Sequence, residues 1–301
     1  MKRRRFVTCL GLLCTMALAV VSDAPADSLP GGAHGRFARH GHKLLPRGQN
    51  ELIPLYGDAN PTEWAQACWE ANGSNGGSWI VANAASEGGG PGSEASLALA
   101  EAIERCYEAG RASVIGYVST DYGEGGEASI AEIERQIDEW YAYYPGEIAG
   151  IFFDQVSDDV PGTTTSNESF YRTLATYVHT HEGNNDEVVL NFGENPSSDW
   201  MLSGNDVEDA DIVVTFEGSY DTPGENPFTS WTQASWELGY PAEDFAALIH
   251  SAPDEEATPQ PASVCTALAQ KNLGYVYAGT AYDQLSPYFG ELANEASDGG
   301  C

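Results

Sequence analysis

Residues 148–156 read Ile-Ala-Gly-Ile-Phe-Phe-Asp-Gln-Val, an apolar run that stops on an acid. Residues 210–220, Ala-Asp-Ile-Val-Val-Thr-Phe-Glu-Gly-Ser-Tyr, repeat the pattern and stop on Glu217. A near-continuous apolar stretch suits a strand buried on both faces, as in a parallel sheet. The C-terminal end of such a strand is where α/β barrels carry their chemistry. Asp154 and Glu217 are therefore read as a catalytic pair, because sugar hydrolysis uses one carboxyl as acid and a second as base or nucleophile.

Working outward, strand and helix patterns alternate from residue 51 onward. Eight strands are expected, at 52–57, 78–83, 112–118, 148–154, 187–192, 211–217, 245–250 and 275–280, each followed by a helical pattern. The clearest helix is 128–144, which places Ile130, Ile133, Ile137, Trp140, Tyr141 and Tyr144 on one face. A helix over 96–109 is expected to turn Leu97, Ala100, Ile103 and Tyr107 inward. Asn60-Pro61 reads as a helix start and Gly110 as a helix stop. Eight such units predict a single α/β domain, a (β/α)8 TIM barrel over 51–301. The competing doubly wound sheet lacks its phosphate-cradling Gly-x-Gly-x-x-Gly after the first strand, where Tyr56-Gly57-Asp58-Ala59-Asn60-Pro61 stands instead.

The charge is extreme. From residue 51 onward, 43 Asp and Glu face five basic residues (Arg105, Arg111, Arg135, Arg172 and Lys271), an excess of 38 negative charges. Such a surface repels itself at physiological salt and becomes tolerable where salt screens it, since the Debye length falls to roughly 3 Å at 1 M. This points to adaptation to brine, with an ordinary acidic secreted protein as the other reading. Nucleic acids and anionic membranes are poor partners for this surface.

Lys2–Arg5 followed by the largely apolar Phe6–Val21 and Ala-x-Ala at 24–26 predicts an export signal over 1–26, hence a secreted protein. Arg3-Arg4-Arg5-Phe6 also fits a twin-arginine pattern. The apolar core is shorter than the ~20 residues of a membrane span, so no membrane partner is expected once the signal is removed. Residues 27–50, rich in Gly, Pro and His, read as a flexible linker. Removal of the signal leaves Cys68, Cys106, Cys265 and Cys301. An even count in an exported chain favours two disulfides, with three connectivities open. Neighbouring helices in a barrel favour Cys68–Cys106 and Cys265–Cys301. No Cys-x-x-Cys pair is present, and neither metal nor cofactor is expected.

In a barrel the strand ends Tyr56, Asp58, Asn83, Tyr117, Thr120, Tyr122, Asp154, Asn191, Glu217, Tyr220, His250 and Tyr277 crowd one mouth. Carboxylates, amides and aromatic rings suit a sugar, while a phosphorylated or acidic substrate wants the Arg or Lys that no strand end supplies. Bland roles compete: Asn83 and Asn191 as loop ties, the tyrosines as core with satisfied hydroxyls, His250 as a structural histidine. Asp154 and Glu217 resist such a role, because a carboxylate closing an apolar strand needs a reason for its desolvation.

Leu52-Ile-Pro-Leu-Tyr56, Asn83 followed by Gly90-Pro91-Gly92, Gly116-Tyr-Val-Ser-Thr-Asp-Tyr-Gly123, Gly150-Ile-Phe-Phe-Asp154, Val188-Val-Leu-Asn191 and Val213-Val-Thr-Phe-Glu217 resemble the spherulation-specific family 4 proteins, in order across roughly 51–290. The resemblance implies a (β/α)8 barrel and, as in characterised fungal members, an endo-acting α-1,4-N-acetylgalactosaminidase that cuts galactosamine-containing exopolysaccharide. The family pattern after Phe-Phe is Asp-Glu, whereas this chain has Asp154-Gln155. Gln155 keeps the shape of Glu but transfers no proton, so it is read as a sugar-contacting residue.

In an α-linked 2-acetamido galactoside the acetamido group is cis to the leaving group and cannot attack from behind, so the protein supplies both roles. Asp154 is read as nucleophile or base and Glu217 as general acid, with the exchange of the two left open. The expectation is an exported, monomeric glycosidase acting on a polysaccharide. The alternative is a carbohydrate-binding barrel whose catalysis has lapsed through Gln155.

Overall fold

A computed structural model describes residues 49–56, 59–72, 77–85, 89–160, 162–181, 186–197, 210–252, 266–282 and 284–297. The elements are β1 (Asn50–Tyr56), α1 (Pro61–Glu70), β2 (Ser78–Asn83), α2 (Leu97–Ala109), β3 (Ala112–Ser119), α3 (Glu127–Tyr143), β4 (Ile148–Asp154), α4 (Glu168–Thr180), β5 (Glu187–Asn191), β6 (Ile212–Ser219), β7 (Phe245–His250), β8 (Tyr275–Ala278) and α5 (Phe289–Ser297). The eight strands are parallel, each paired with its neighbour in chain order, and β8 closes onto β1. This is the (β/α)8 barrel that the apolar runs predict. The expected export signal (1–26), most of the linker and Asp58, Cys265 and Cys301 lie outside the described residues.

Local chemistry sets the element ends. Asn60 caps α1 by accepting from the Thr62 amide, with Pro61 at the first turn. Gly110 ends α2 at φ 65°, a left-handed conformation that suits glycine. In α3, Ile133, Ile137, Trp140 and Tyr141 are buried, as the periodicity predicts. Gly116 lets α3 approach β3: a Cβ there would meet the Trp140 ring at 2.6 Å, and Trp140 Nε1 donates to the Tyr117 carbonyl at 2.9 Å. The strand end that carries Tyr117 is thereby pinned by a buried indole.

Three expectations need correction. The inward face of α2 is Leu99, Ala102, Ile103 and Cys106, while Leu97 and Tyr107 are 83% and 79% exposed. The small residues Ala102 and Cys106 do the packing there, and large side chains misled the phase. Second, no α-helix follows β6: residues 220–244 hold only two short 3-10 turns, Glu237–Gly239 and Ala242–Asp244. Pro223, Gly224, Pro227 and Pro241 break helical pairing in this stretch. Phe228 and Trp231 cover Phe216 of β6 in the helix's place, with ring centroids 5.1 and 5.2 Å from it. Third, Gln49 and Asn50 do not belong to a linker. Both are buried, Asn50 opens β1, and Gln49 Nε2 donates to the Leu273 carbonyl at 3.0 Å.

Cys68 of α1 and Cys106 of α2 form a disulfide with Cα atoms 4.7 Å apart. Arg105, Arg135 and Arg172 pair with acids of their own helices, namely Glu101, Glu132 and Glu139, and Glu168. Lys271 Nζ donates to the Trp231 carbonyl at 2.7 Å and lies over the Trp231 ring. These surface pairs contribute little and leave the acid excess unbalanced. No helix among the described residues is long and apolar enough to cross a membrane.

Candidate active site

β4, β5 and β6 lie side by side, and Asp154 and Asn191, which end β4 and β5, converge with Glu217, two residues before the end of β6. Register shifts at Val114/Gly116, between β3 and β4, and at Val214/Phe216, between β6 and β7, adjust this rim. Such irregularities re-aim side chains near active sites. Past the second of them, Phe216 packs outward on Phe228 and Trp231, and the next residue, Glu217, meets Asn191 at the mouth.

Asn191 Nδ2 donates to Asp154 Oδ1 at 2.7 Å and to Glu217 Oε2 at 2.5 Å. Two oxygens sharing one nitrogen at these distances are at most about 5 Å apart. Asp154 Oδ2 accepts from the Tyr117 hydroxyl at 2.6 Å. Glu217 is anchored by its own amide, which donates to the Gly193 carbonyl at 2.9 Å. Burial pushes the Glu217 carboxyl up to about 7; the Asp154 charge adds to the rise, and the Asn191 donor opposes it. Burial and then the Asp154 charge push the Tyr117 hydroxyl up, and the same two causes act on Tyr56. Tyr56 and Tyr117 meet edge to face, with centroids 5.5 Å apart.

The remaining sequence-derived residues divide by role. Gln155, at φ 57°, accepts from the Ser119 hydroxyl at 2.5 Å through Oε1. Thr120 is buried, with its hydroxyl 2.9 Å from the carbonyls of both Asp154 and Gln155, so it ties the ends of β3 and β4 together. Asn83 accepts from the Gly90 amide at 2.9 Å and shapes the loop after β2. Tyr122 is 46% exposed and donates its amide to the Gln155 carbonyl. Tyr220 is buried and held by its backbone to His250. His250 ends β7, with Nδ1 2.9 Å from Ser251 Oγ. Tyr277 does not join the mouth by its hydroxyl: that group donates to the Gln284 carbonyl at 3.2 Å and accepts from the Ser286 amide at 3.1 Å, so Tyr277 is core.

Two residues of this mouth escape a reading of strand ends. Tyr282, in the loop after β8, packs edge-on against His250 at 5.5 Å and donates to the Leu248 carbonyl at 3.0 Å. Its hydroxyl is pushed up by burial first and then by the Glu217 charge, which places it within electrostatic reach of the pair. Ser119 ends β3 one residue beyond the expected 112–118, and its contact with Gln155 depends on the β3–β4 register. Among the described residues no group of three or more His, Cys, Asp or Glu could hold a metal ion.

Fold and site together define an α/β barrel with a hydrogen-bonded carboxylate pair at its C-terminal mouth. The model of spherulation-specific family 4 matches residues 51–296, and the chain belongs to that family. Among solved structures it is similar to Aspergillus clavatus Sph3 in complex with GalNAc, with a TM-score of 0.62 and 19% identity over 84% of this chain and 99% of that one. It is also similar to the endo-beta-N-acetylglucosaminidase from Cordyceps militaris, with a TM-score of 0.50 and 9% identity over 84% of this chain and 92% of that one. At these identities the likeness concerns the fold. A search of curated proteins finds no significant match.

Proposed function

We propose that this protein is an exported glycoside hydrolase that cleaves α-linked galactosamine- or N-acetylgalactosamine-containing polysaccharide within the chain. The observation that carries the reading is the separation of Asp154 and Glu217, at most about 5 Å between the oxygens that share Asn191. This bound on the two nearest oxygens lies nearer the ~5–5.5 Å carboxyl spacing of retaining glycosidases than the ~6.5–9.5 Å of inverting ones. Glu217, held up to about 7, is the general acid. Its proton passes to the glycosidic oxygen as the C1–O bond breaks, while an Asp154 oxygen bonds to C1. Water then attacks C1, Glu217 takes the water's proton, and the C1–Asp154 bond breaks, giving the α anomer again. Tyr117 and Asn191 each donate to one oxygen of Asp154 and so hold the nucleophile's carboxylate in place.

Family membership and the neighbour solved with GalNAc support an amino-sugar substrate. The second reading, a carbohydrate-binding barrel, is favoured by Gln155, which holds the place of the family's second acid without a transferable proton. Purified protein at molar salt, given galactosamine-rich polysaccharide and assayed for new reducing ends, separates the two. Hydrolysis is expected to yield the α anomer by NMR, and Asp154→Asn and Glu217→Gln are expected to lower turnover about 10²–10⁴-fold each. Wild-type protein that binds the polymer without cutting it establishes the binding reading.

A further inference from the structure

Asn191 is buried at the end of β5, and one side-chain amide serves both acids. Its Oδ1 accepts from the Gly193 amide at 3.0 Å, which fixes the end that carries the hydrogens. The two hydrogens of Nδ2 then go one to Asp154 and one to Glu217. An asparagine amide has only those two, so none is left for a sugar hydroxyl. Asn191 therefore has no donor to offer a sugar, and only the second lone pair of its Oδ1 remains for such a contact.

We infer that Asn191 is a positioning residue that holds the two carboxyl groups at one separation and directs the acid's proton to Glu217 Oε1. The inference rests on the glycosidase reading of this site. A neutral carboxyl accepts best through its carbonyl-like oxygen, and the Asn191 hydrogen occupies Oε2, so the transferable proton belongs on Oε1. Asp154 has both oxygens engaged, one by Asn191 and one by Tyr117, which fixes the plane of its carboxylate. Gly193 links the two supports: its amide orients Asn191, and its carbonyl accepts from the Glu217 amide. At φ 67° this residue suits glycine, so the turn that carries both contacts is built into the chain after β5.

The test compares full-length wild type with Asn191→Leu, which removes both donors at similar volume, and Asn191→Ala, which guards against overpacking. Turnover is measured across pH on galactosamine-rich polysaccharide, and the Glu217 carboxyl is followed by 13C NMR in the same proteins. Loss of the bridge is expected to lower kcat about a hundredfold with KM within about threefold. The alkaline limb and the Glu217 NMR midpoint should both move up by about one pH unit, since a donor to the ionised form is gone. A raised KM with kcat and the limb unchanged identifies a sugar contact and overturns the inference. An unmoved Glu217 midpoint in a folded variant also overturns it, and this readout holds even if the wild type proves not to hydrolyse the polymer, the result that defeats the glycosidase reading instead.

Discussion

The Tyr117 hydroxyl donates to Asp154 Oδ2 at 2.6 Å, joining the ends of β3 and β4 across the barrel mouth. The ring that delivers it is confined on three sides. It stacks on Phe152 at 6.0 Å, meets Tyr56 edge-on, and leaves no space at Gly89, where a Cβ would fall 2.1 Å from the ring. A hydrogen bond to a charged group contributes about 1.5–3 kcal/mol. Tyr117→Phe is therefore expected to keep the fold and lower kcat about 10–100-fold, and Gly89→Ala to lower kcat by displacing the ring. Steady-state kinetics with a parallel melting curve check both.

The Glu217 carboxyl at about 7 makes two pH predictions. As the proton donor it must be protonated, so kcat/KM should fall as pH rises through about 7. For stability the sign follows from the raised value. The folded protein holds this proton more tightly than the unfolded chain does, so its contribution is present below the ordinary 4.5 and is lost as pH rises through about 7. Glu217→Gln should then melt higher than wild type at about pH 8 and no higher at about pH 4. Identical differences at both pH values contradict the assignment.

Gln155, which the family resemblance reads as standing where an acid is expected, accepts from Ser119. Gln155→Glu sets a second carboxylate beside Asp154, which raises one value of the pair. The expected outcome is higher turnover or a pH optimum moved upward, read from a full pH–rate profile. A profile superimposable on the wild type means that position 155 takes no part in proton transfer.

The Cys68–Cys106 bridge closes a separation of 38 residues between α1 and α2. Replacing both cysteines with Ala should destabilise the fold by about 2–4 kcal/mol. Urea unfolding of the oxidised protein and the double variant gives the difference, and equal midpoints exclude a stabilising bridge.

From residue 51 onward 43 acids meet only five Lys and Arg, an excess of 38 negative charges, and three of those five cations pair within their own helices. Removal of salt should therefore lower the melting temperature markedly between about 3 M and about 0.1 M NaCl. Circular dichroism at the two salt levels tests this. Equal melting temperatures would remove the case for adaptation to brine.

The eight strands, their parallel order, the acid that ends β4 and the acid near the end of β6 are legible in the residue pattern alone. Apolar runs such as 148–153 and 212–216 are a direct record of burial on both faces, and an acid at their end is unusual enough to read. The residue pattern also determined the face of α3, where large side chains repeat at helical spacing. Elsewhere burial was not written in residue size. α2 packs through Ala102 and Cys106, and the connection after β6 replaces a helix with the Phe228 and Trp231 cover. Only the tertiary structure decided that Asn191 bridges Asp154 and Glu217, that Tyr277 is core, and that Tyr282 reaches the mouth from beyond β8. Each of these depends on register and loop path between segments distant in the chain. A hydrogen bond is decided within a few tenths of an ångström, whereas residue spacing along one strand constrains only which face a side chain takes.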